Sequence, residues 1–194
     1  MTTANKVTVL RILFVPFFVH QVLEFREDGL DWHRWLAFGT FATVAVLDGV
    51  DGFIARRFHQ RSELGAVLDP LADKLLLVSG LVTLSLTHTH LDAIPRWLTF
   101  TVLSRDVLLV LGLAVIHFTV GRVRVRPRWT GKISTVLQMV TVTWTLLRWP
   151  QPIQVWLAGG AAIFTAISGL RYVWDGMHQL GTSPHSSPSP PDGS

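Results

Sequence analysis

Cysteine is absent from the 194 residues, which excludes disulfides, thiolate metal sites and cysteine nucleophiles together. Charge is also scarce. Charged residues make up 15% of the chain, against about a quarter in an ordinary soluble domain. Hydrophobic residues reach 49%, and the mean hydropathy is +0.40. That balance points to an integral membrane protein with no length left for a large second domain. No internal repeat is visible. A cleavable signal peptide is not expected either, because the first apolar run follows only Lys6 and Arg11 and lacks a small-residue cleavage site after it. The net charge is +4 and the pI is near 10.3, a balance that could suggest a nucleic-acid partner. The basic residues, however, sit in short loops between apolar runs, which fits the positive-inside rule better. No nucleic-acid partner is expected.

What the chain does contain is six apolar segments, near 7–25, 35–57, 67–87, 95–118, 131–148 and 153–174. Each is long enough for a crossing of roughly 20 residues. The expected fold is an all-α integral membrane protein, with six transmembrane helices in a compact bundle and a polar cavity open to the cytoplasmic side. Charges interrupt the second, third and fourth segments, so hydropathy alone scores them weakly. The 24–34 loop is mostly acidic and 88–94 carries one aspartate, whereas 56–63 holds Arg56, Arg57 and Arg61, and 119–132 holds Arg122, Arg124, Arg126, Arg128 and Lys132. This alternation places both termini and the interrupting aspartates on the cytoplasmic side of a cell membrane of bacterial inner-membrane type. Trp32, Trp35, Trp97, Trp149 and Trp156 fall near the expected membrane edges and read as an aromatic belt. Residues 1–176 form the expected membrane domain, and 177–194, rich in Ser and Pro, the expected disordered tail.

The chain is organised around 48–73, DGVDGFIARRFHQRSELGAVLDPLAD. Asp48 and Asp51 are spaced i, i+3, and Asp69 and Asp73 are spaced i, i+4, so on helices each pair shares a face. Pro70 is tolerated in a first helical turn, which predicts that Asp69 and Asp73 open the third helix, antiparallel to the second. Carboxylates at such depth mark a functional site by default. Four together repel one another and require neutralisation. Lys74 and Arg56 supply part of it, and hard divalent cations suit an oxygen-only ligand set. Two Mg²⁺ or Mn²⁺ ions ~4 Å apart would suit a phosphoryl substrate. Spacing alone leaves two other readings open: a structural ion-pair network of Asp48, Asp51, Arg56 and Lys74, and an ion or proton pathway of a membrane transporter.

The run Asp48-x-x-Asp51-Gly52-x-x-Ala55-Arg56, then after eight residues Gly65-x-x-x-Asp69-x-x-x-Asp73, resembles the signature of the CDP-alcohol phosphatidyltransferase family at every fixed position. Asn5-x-x-Thr8-x-x-Arg11 looks like the family's N-terminal segment, and the six-helix plan is similar too. The resemblance implies an enzyme of phospholipid biosynthesis that moves the phosphatidyl group of CDP-diacylglycerol to an alcohol and releases CMP. It also implies that Asp48, Asp51 and Asp69 bind the metal pair, that Asp73 lies beside it as general base, and that Gly52, Ala55, Arg56 and Gly65 form the cytidine diphosphate site. A homodimer is a family expectation.

Among the other charges within apolar segments, Arg105 and Lys132 would make an anion pocket for a phosphate-bearing acceptor. The blander readings are a local Arg105–Asp106 pairing, Lys132 as a positive-inside anchor, and Arg171 snorkelling to the interface. The GKISTVLQM segment looks like that of phosphatidylglycerophosphate synthases, whose acceptor is sn-glycerol 3-phosphate. The SRDVLL segment looks more like the eukaryotic-type cardiolipin synthases, whose acceptor is phosphatidylglycerol. Ser104-Arg105-Asp106 departs from the alanine-arginine-glutamate expected of the former.

Overall fold

The computed structural model describes residues 3–58, 63–86, 90–120 and 129–181, with side chains described outside 3–7, 49–70, 113, 116, 117, 119, 120 and 175–181. The described residues form six helices and no strand: α1 (Thr3–Asp28), α2 (Asp31–Phe58), α3 (Glu63–Leu86), α4 (Arg96–Val120), α5 (Trp129–Leu146) and α6 (Gln151–Gly181). Each coincides with one apolar segment of the sequence. Two boundaries differ in a way that matters. α3 starts at Glu63, about one turn earlier than its apolar run, so Asp69 and Pro70 fall in the second turn and Asp73 in the third. α6 continues to Gly181, five residues beyond the expected end of the membrane domain at 176. Most of the Ser/Pro-rich tail lies outside the described residues.

The helix stops follow from local chemistry. α1 ends at Gly29, whose φ of 67° is left-handed; its N–H donates to the Phe25 carbonyl at 3.0 Å, as a helix-terminating glycine does. Asp28 accepts from the Leu30 N–H at 2.9 Å, and Asp31 sits in the first turn of α2, where its charge suits the helix dipole. α5 and α6 are joined by a tight turn around Arg148, also left-handed at φ 55°. The Arg148 guanidinium straps this turn to the neighbouring corners, donating to the His90 carbonyl at 2.7 Å and to Asp31 at 3.2 Å.

Among the described residues, α1 packs along both α2 and α3, and α6 along both α4 and α5, whereas α2 and α3 touch each other only sparingly. Phe18, Val22 and Phe25 of α1 meet Phe41 and Val44 of α2 and Leu77, Leu81 and Leu84 of α3 in the core. Among the described residues, the first helix joins the two helices that carry the aspartates more extensively than they join each other.

Polarity is inverted relative to a soluble bundle. Phe100, Val110, Leu111 and Phe118 on α4, and Ile163 and Leu170 on α6, face outward, Phe118 with 88% of its surface exposed. Inside lie Thr141, Thr145, Gln138, Ser134, Thr165 and Ser168. The Gln138 amide donates to Ser134 and Thr165, each at 2.9 Å, and ties α5 to α6. A continuous apolar exterior of this kind requires an apolar surrounding. Among the described residues, two helix spans, Thr8–Asp28 and Gln151–Trp174, are long and apolar enough to cross a membrane. Trp32, Trp35, Trp97, Trp149 and Trp156 are exposed and cluster at the end of the bundle that carries the α1–α2 and α5–α6 corners, the arrangement of an interfacial belt.

Candidate active site

The charges inside the helices gather toward the opposite end. Arg11, in the N-terminal half of α1, is 1% exposed, and its Nη2 atom donates to Asp48 of α2 at 3.0 Å and to Asp73 of α3. Residues 48 and 73 thus converge on one positive centre from two different helices. Both carboxylates stay about one-third open to the outside.

Lys74, next in the chain, does not join them. Its Nζ donates to both oxygens of Asp106 on α4, at 2.8 and 2.7 Å. Arg105 donates to the same carboxylate at 2.9 Å through Nη1 and to Ser168 on α6 at 3.1 Å through Nη2, and its guanidinium lies over the Tyr172 ring at 5.8 Å. Two glycines admit this side chain: a Cβ on Gly131 would stand 3.3 Å from Arg105 Nη2, and one on Gly169 would stand 3.2 Å from its Cγ. The Arg105–Asp106 pairing is present and takes in Lys74; among the described residues, only the backbone link between residues 73 and 74 joins this group to Asp73, Arg11 and Asp48 in one charge chain.

Lys132 is exposed, and its Nζ lies over the Trp129 ring at 5.6 Å. The structure therefore brings Arg105 against Gly131, the neighbour of Lys132, without joining the two cationic heads. Arg171 is exposed. Asp51, Gly52, Ala55 and Arg56 lie on α2, and Gly65 and Asp69 on α3; their side chains lie outside the described residues. Along the helix backbones Asp51 is one turn beyond Asp48, and Asp69 one turn before Asp73.

The donor set fits divalent metal. Two carboxylates from different helices share a single cationic nitrogen, and their side chains remain about one-third exposed, which leaves them open to a hard cation. A second group of metal-ligating type, Glu24, Asp28 and His33, sits at the other end, about 25 Å along α1 from Arg11 at 1.5 Å per residue. There His33 already has both ring nitrogens engaged, Nε2 with Asp28 at 3.0 Å and Nδ1 with Gln21 at 2.7 Å. It reads as a hydrogen-bonded corner between α1 and α2.

Arg11 is the residue that sequence reasoning passed over as a site member. Its signal was present: an arginine within the first apolar run, where an unpaired charge is costly.

The model of the CDP-alcohol phosphatidyltransferase family matches residues 1–167. The chain belongs to this family. Among curated relatives, a probable phosphatidylglycerophosphate synthase of Mycobacterium tuberculosis (strain H37Rv) is 34% identical over 182 residues, covering 92% of this chain and 83% of the relative. The CDP-diacylglycerol–glycerol-3-phosphate 3-phosphatidyltransferase of Escherichia coli (strain K12) is 33% identical over 172 residues, covering 86% and 90%. A Shigella flexneri protein of the same description matches to the same extent. Membership of this phosphatidyltransferase family makes the chain a transferase and bears out the resemblance read from 48–73. The match begins before Arg11 and ends after Arg105 and Gly131, so the whole charge chain lies inside the family region.

Proposed function

We propose that the protein transfers the phosphatidyl group of CDP-diacylglycerol to sn-glycerol 3-phosphate, giving phosphatidylglycerophosphate and CMP. The relatives named above carry that activity in their descriptions and are similar over most of both chains. The structural observation that carries the reading is the junction at 73–74. The carboxylate of Asp73 faces Asp48 across Arg11, while Lys74 runs through Asp106 to the half-buried Arg105. A carboxylate site for a nucleotide-bound metal and a basic site for an acceptor phosphate are thereby adjacent.

In this reading Asp48, Asp51, Asp69 and Asp73 hold the cations, and Gly52, Ala55, Arg56 and Gly65 hold the cytidine diphosphate, small residues giving the nucleotide close approach to the backbone. Two bound Mg²⁺ or Mn²⁺ ions would polarise the diphosphate and stabilise the charge on departing CMP. Asp73 takes the proton from the acceptor hydroxyl as that oxygen attacks the β-phosphorus. Arg105 and Lys132 orient the acceptor phosphate, Lys132 by leaving the Trp129 ring. Six helices cross the membrane with both termini and the site on the cytoplasmic side; the acyl chains remain in lipid. The protein acts as a homodimer.

The Ser104-Arg105-Asp106 run favours a second acceptor, phosphatidylglycerol, which would give cardiolipin. Purified protein incubated with CDP-diacylglycerol and each acceptor separately, with the lipid product identified by mass, decides between them. Phosphatidylglycerophosphate is expected, and cardiolipin alone would overturn the first assignment. Asp73→Asn is expected to abolish CMP release while CDP-diacylglycerol binding persists; unchanged turnover would remove Asp73 as the base.

A further inference from the structure

Arg11 is more deeply buried than either carboxylate it serves. A guanidinium sealed in an apolar bundle must be paired, because an uncompensated buried charge costs several kcal/mol. Its pairing is nevertheless lopsided. Nη2 alone serves both Asp48 and Asp73, and Nε and Nη1 are buried with no hydrogen-bond partner. A purely architectural arginine uses its planar fork, two nitrogens to one carboxylate. Here the side chain acts as a single point of charge between two carboxylates, in the manner of a metal ion.

Three further facts bear on its role. Arg11 is sealed, whereas the side chains of Asp48 and Asp73 are about one-third exposed, so a cation from solution meets the carboxylates before the guanidinium. Lys74 is committed to Asp106, so among the described residues Arg11 is the cation that meets both aspartates. One guanidinium between Asp48 and Asp73 leaves this trio with one net negative charge, so the pair is held together but not neutralised.

We propose that Arg11 is the resident counter-ion of the aspartate cluster, a positioning residue that holds Asp48 and Asp73 together while no metal is bound and yields their oxygens to a divalent cation. The proposal rests on the metal-site reading of these aspartates. Arg11 and the cation then compete for the same oxygens, so Arg11 lowers metal affinity while stabilising the metal-free bundle. Without it, repulsion between the carboxylates is relieved only by metal.

The test is thermal unfolding of the detergent-solubilised full chain, with and without Mn²⁺, for the wild type, Arg11→Gln and Arg11→Lys, with Mn²⁺ affinity read by electron paramagnetic resonance. Arg11→Gln is expected to melt lower than wild type without metal, to gain at least about twice the wild-type increment from Mn²⁺, and to bind Mn²⁺ about tenfold tighter. Arg11→Lys, which keeps a point charge, is expected to behave as wild type in both respects. An equal or smaller Mn²⁺ increment in Arg11→Gln, where the wild type does respond, would overturn the role of Arg11 and leave the metal site standing. No Mn²⁺ response in the wild type would overturn both. If Arg11→Gln folds only when purified with Mn²⁺, the proposal is supported; if Mn²⁺ does not recover it, the proposal is overturned.

Discussion

Lys74 gives both of its short hydrogen bonds to Asp106, at 2.8 and 2.7 Å, and so turns away from Asp73, its neighbour in the chain. Asp106 also accepts from Arg105. One carboxylate on α4 therefore fixes a lysine of α3 and the arginine that reaches α6, and the placement of both cations depends on it.

Asp106→Asn keeps the shape of this carboxylate and removes its charge. We expect the KM for the acceptor to rise about tenfold with the KM for CDP-diacylglycerol within about twofold, the pattern of lost ground-state binding at one substrate. The pair is partly exposed, so stability should fall by only about 1 kcal/mol. Asp106→Glu is expected to recover most of the acceptor affinity. Steady-state kinetics with each substrate varied in turn measure both.

Gly169→Ala places a methyl 3.2 Å from Arg105 Cγ, closer than ordinary packing allows. Arg105 must shift by a few tenths of an ångström, and we expect about a tenfold loss in kcat/KM for the acceptor. Gly159 has open space where a Cβ would go, so Gly159→Ala on the same helix should leave kinetics unchanged and be neutral or stabilising by up to about 1 kcal/mol. Equal effects from the two substitutions would dissociate Arg105 from the acceptor.

Gly29→Ala meets two obstacles at once: a left-handed backbone and the His90 ring at 2.9 Å. The backbone term alone is about 1–2 kcal/mol, and a drop of about 5 °C in the melting temperature follows for a chain of this size. Both KM values should be unaffected, because this corner lies at the other end of the bundle. A melting curve and one saturation series suffice.

Chelation provides the fourth expectation. Activity should vanish in excess EDTA and return with Mg²⁺ or Mn²⁺, and CDP should raise the melting temperature only when metal is present. Turnover in excess chelator would sink the metal reading.

Much of this was legible in the chain itself. Six apolar runs locate six helices, because helix formation over such lengths needs little beyond continuous apolar sequence and short polar breaks. Asp48 and Asp73 stood out as charges in apolar surroundings, and their spacing with Asp51 and Asp69 needs only helical periodicity. What sequence could not supply was pairing across helices. Lys74 adjoins Asp73 in the chain and was the natural candidate to neutralise it, but on a helix adjacent side chains point about 100° apart, and Lys74 faces α4. The cation that does meet Asp73 comes from Arg11, 62 positions away. Arg105 and Lys132 read in the sequence as converging cations. Arg105 lies against Gly131, but the Lys132 head lies over the Trp129 ring, an aromatic face within reach of its long side chain.

The position of Arg11 also bears on how the chain is made. A growing polypeptide emerges from its N-terminus, so this arginine is synthesised before Asp48 and well before Asp73. Until those residues follow, the first helix carries a guanidinium with neither of its carboxylates. α1 therefore remains a provisional partner during synthesis, and its final seat is settled only when the third helix arrives, which makes assembly of the bundle and completion of the aspartate site a single event.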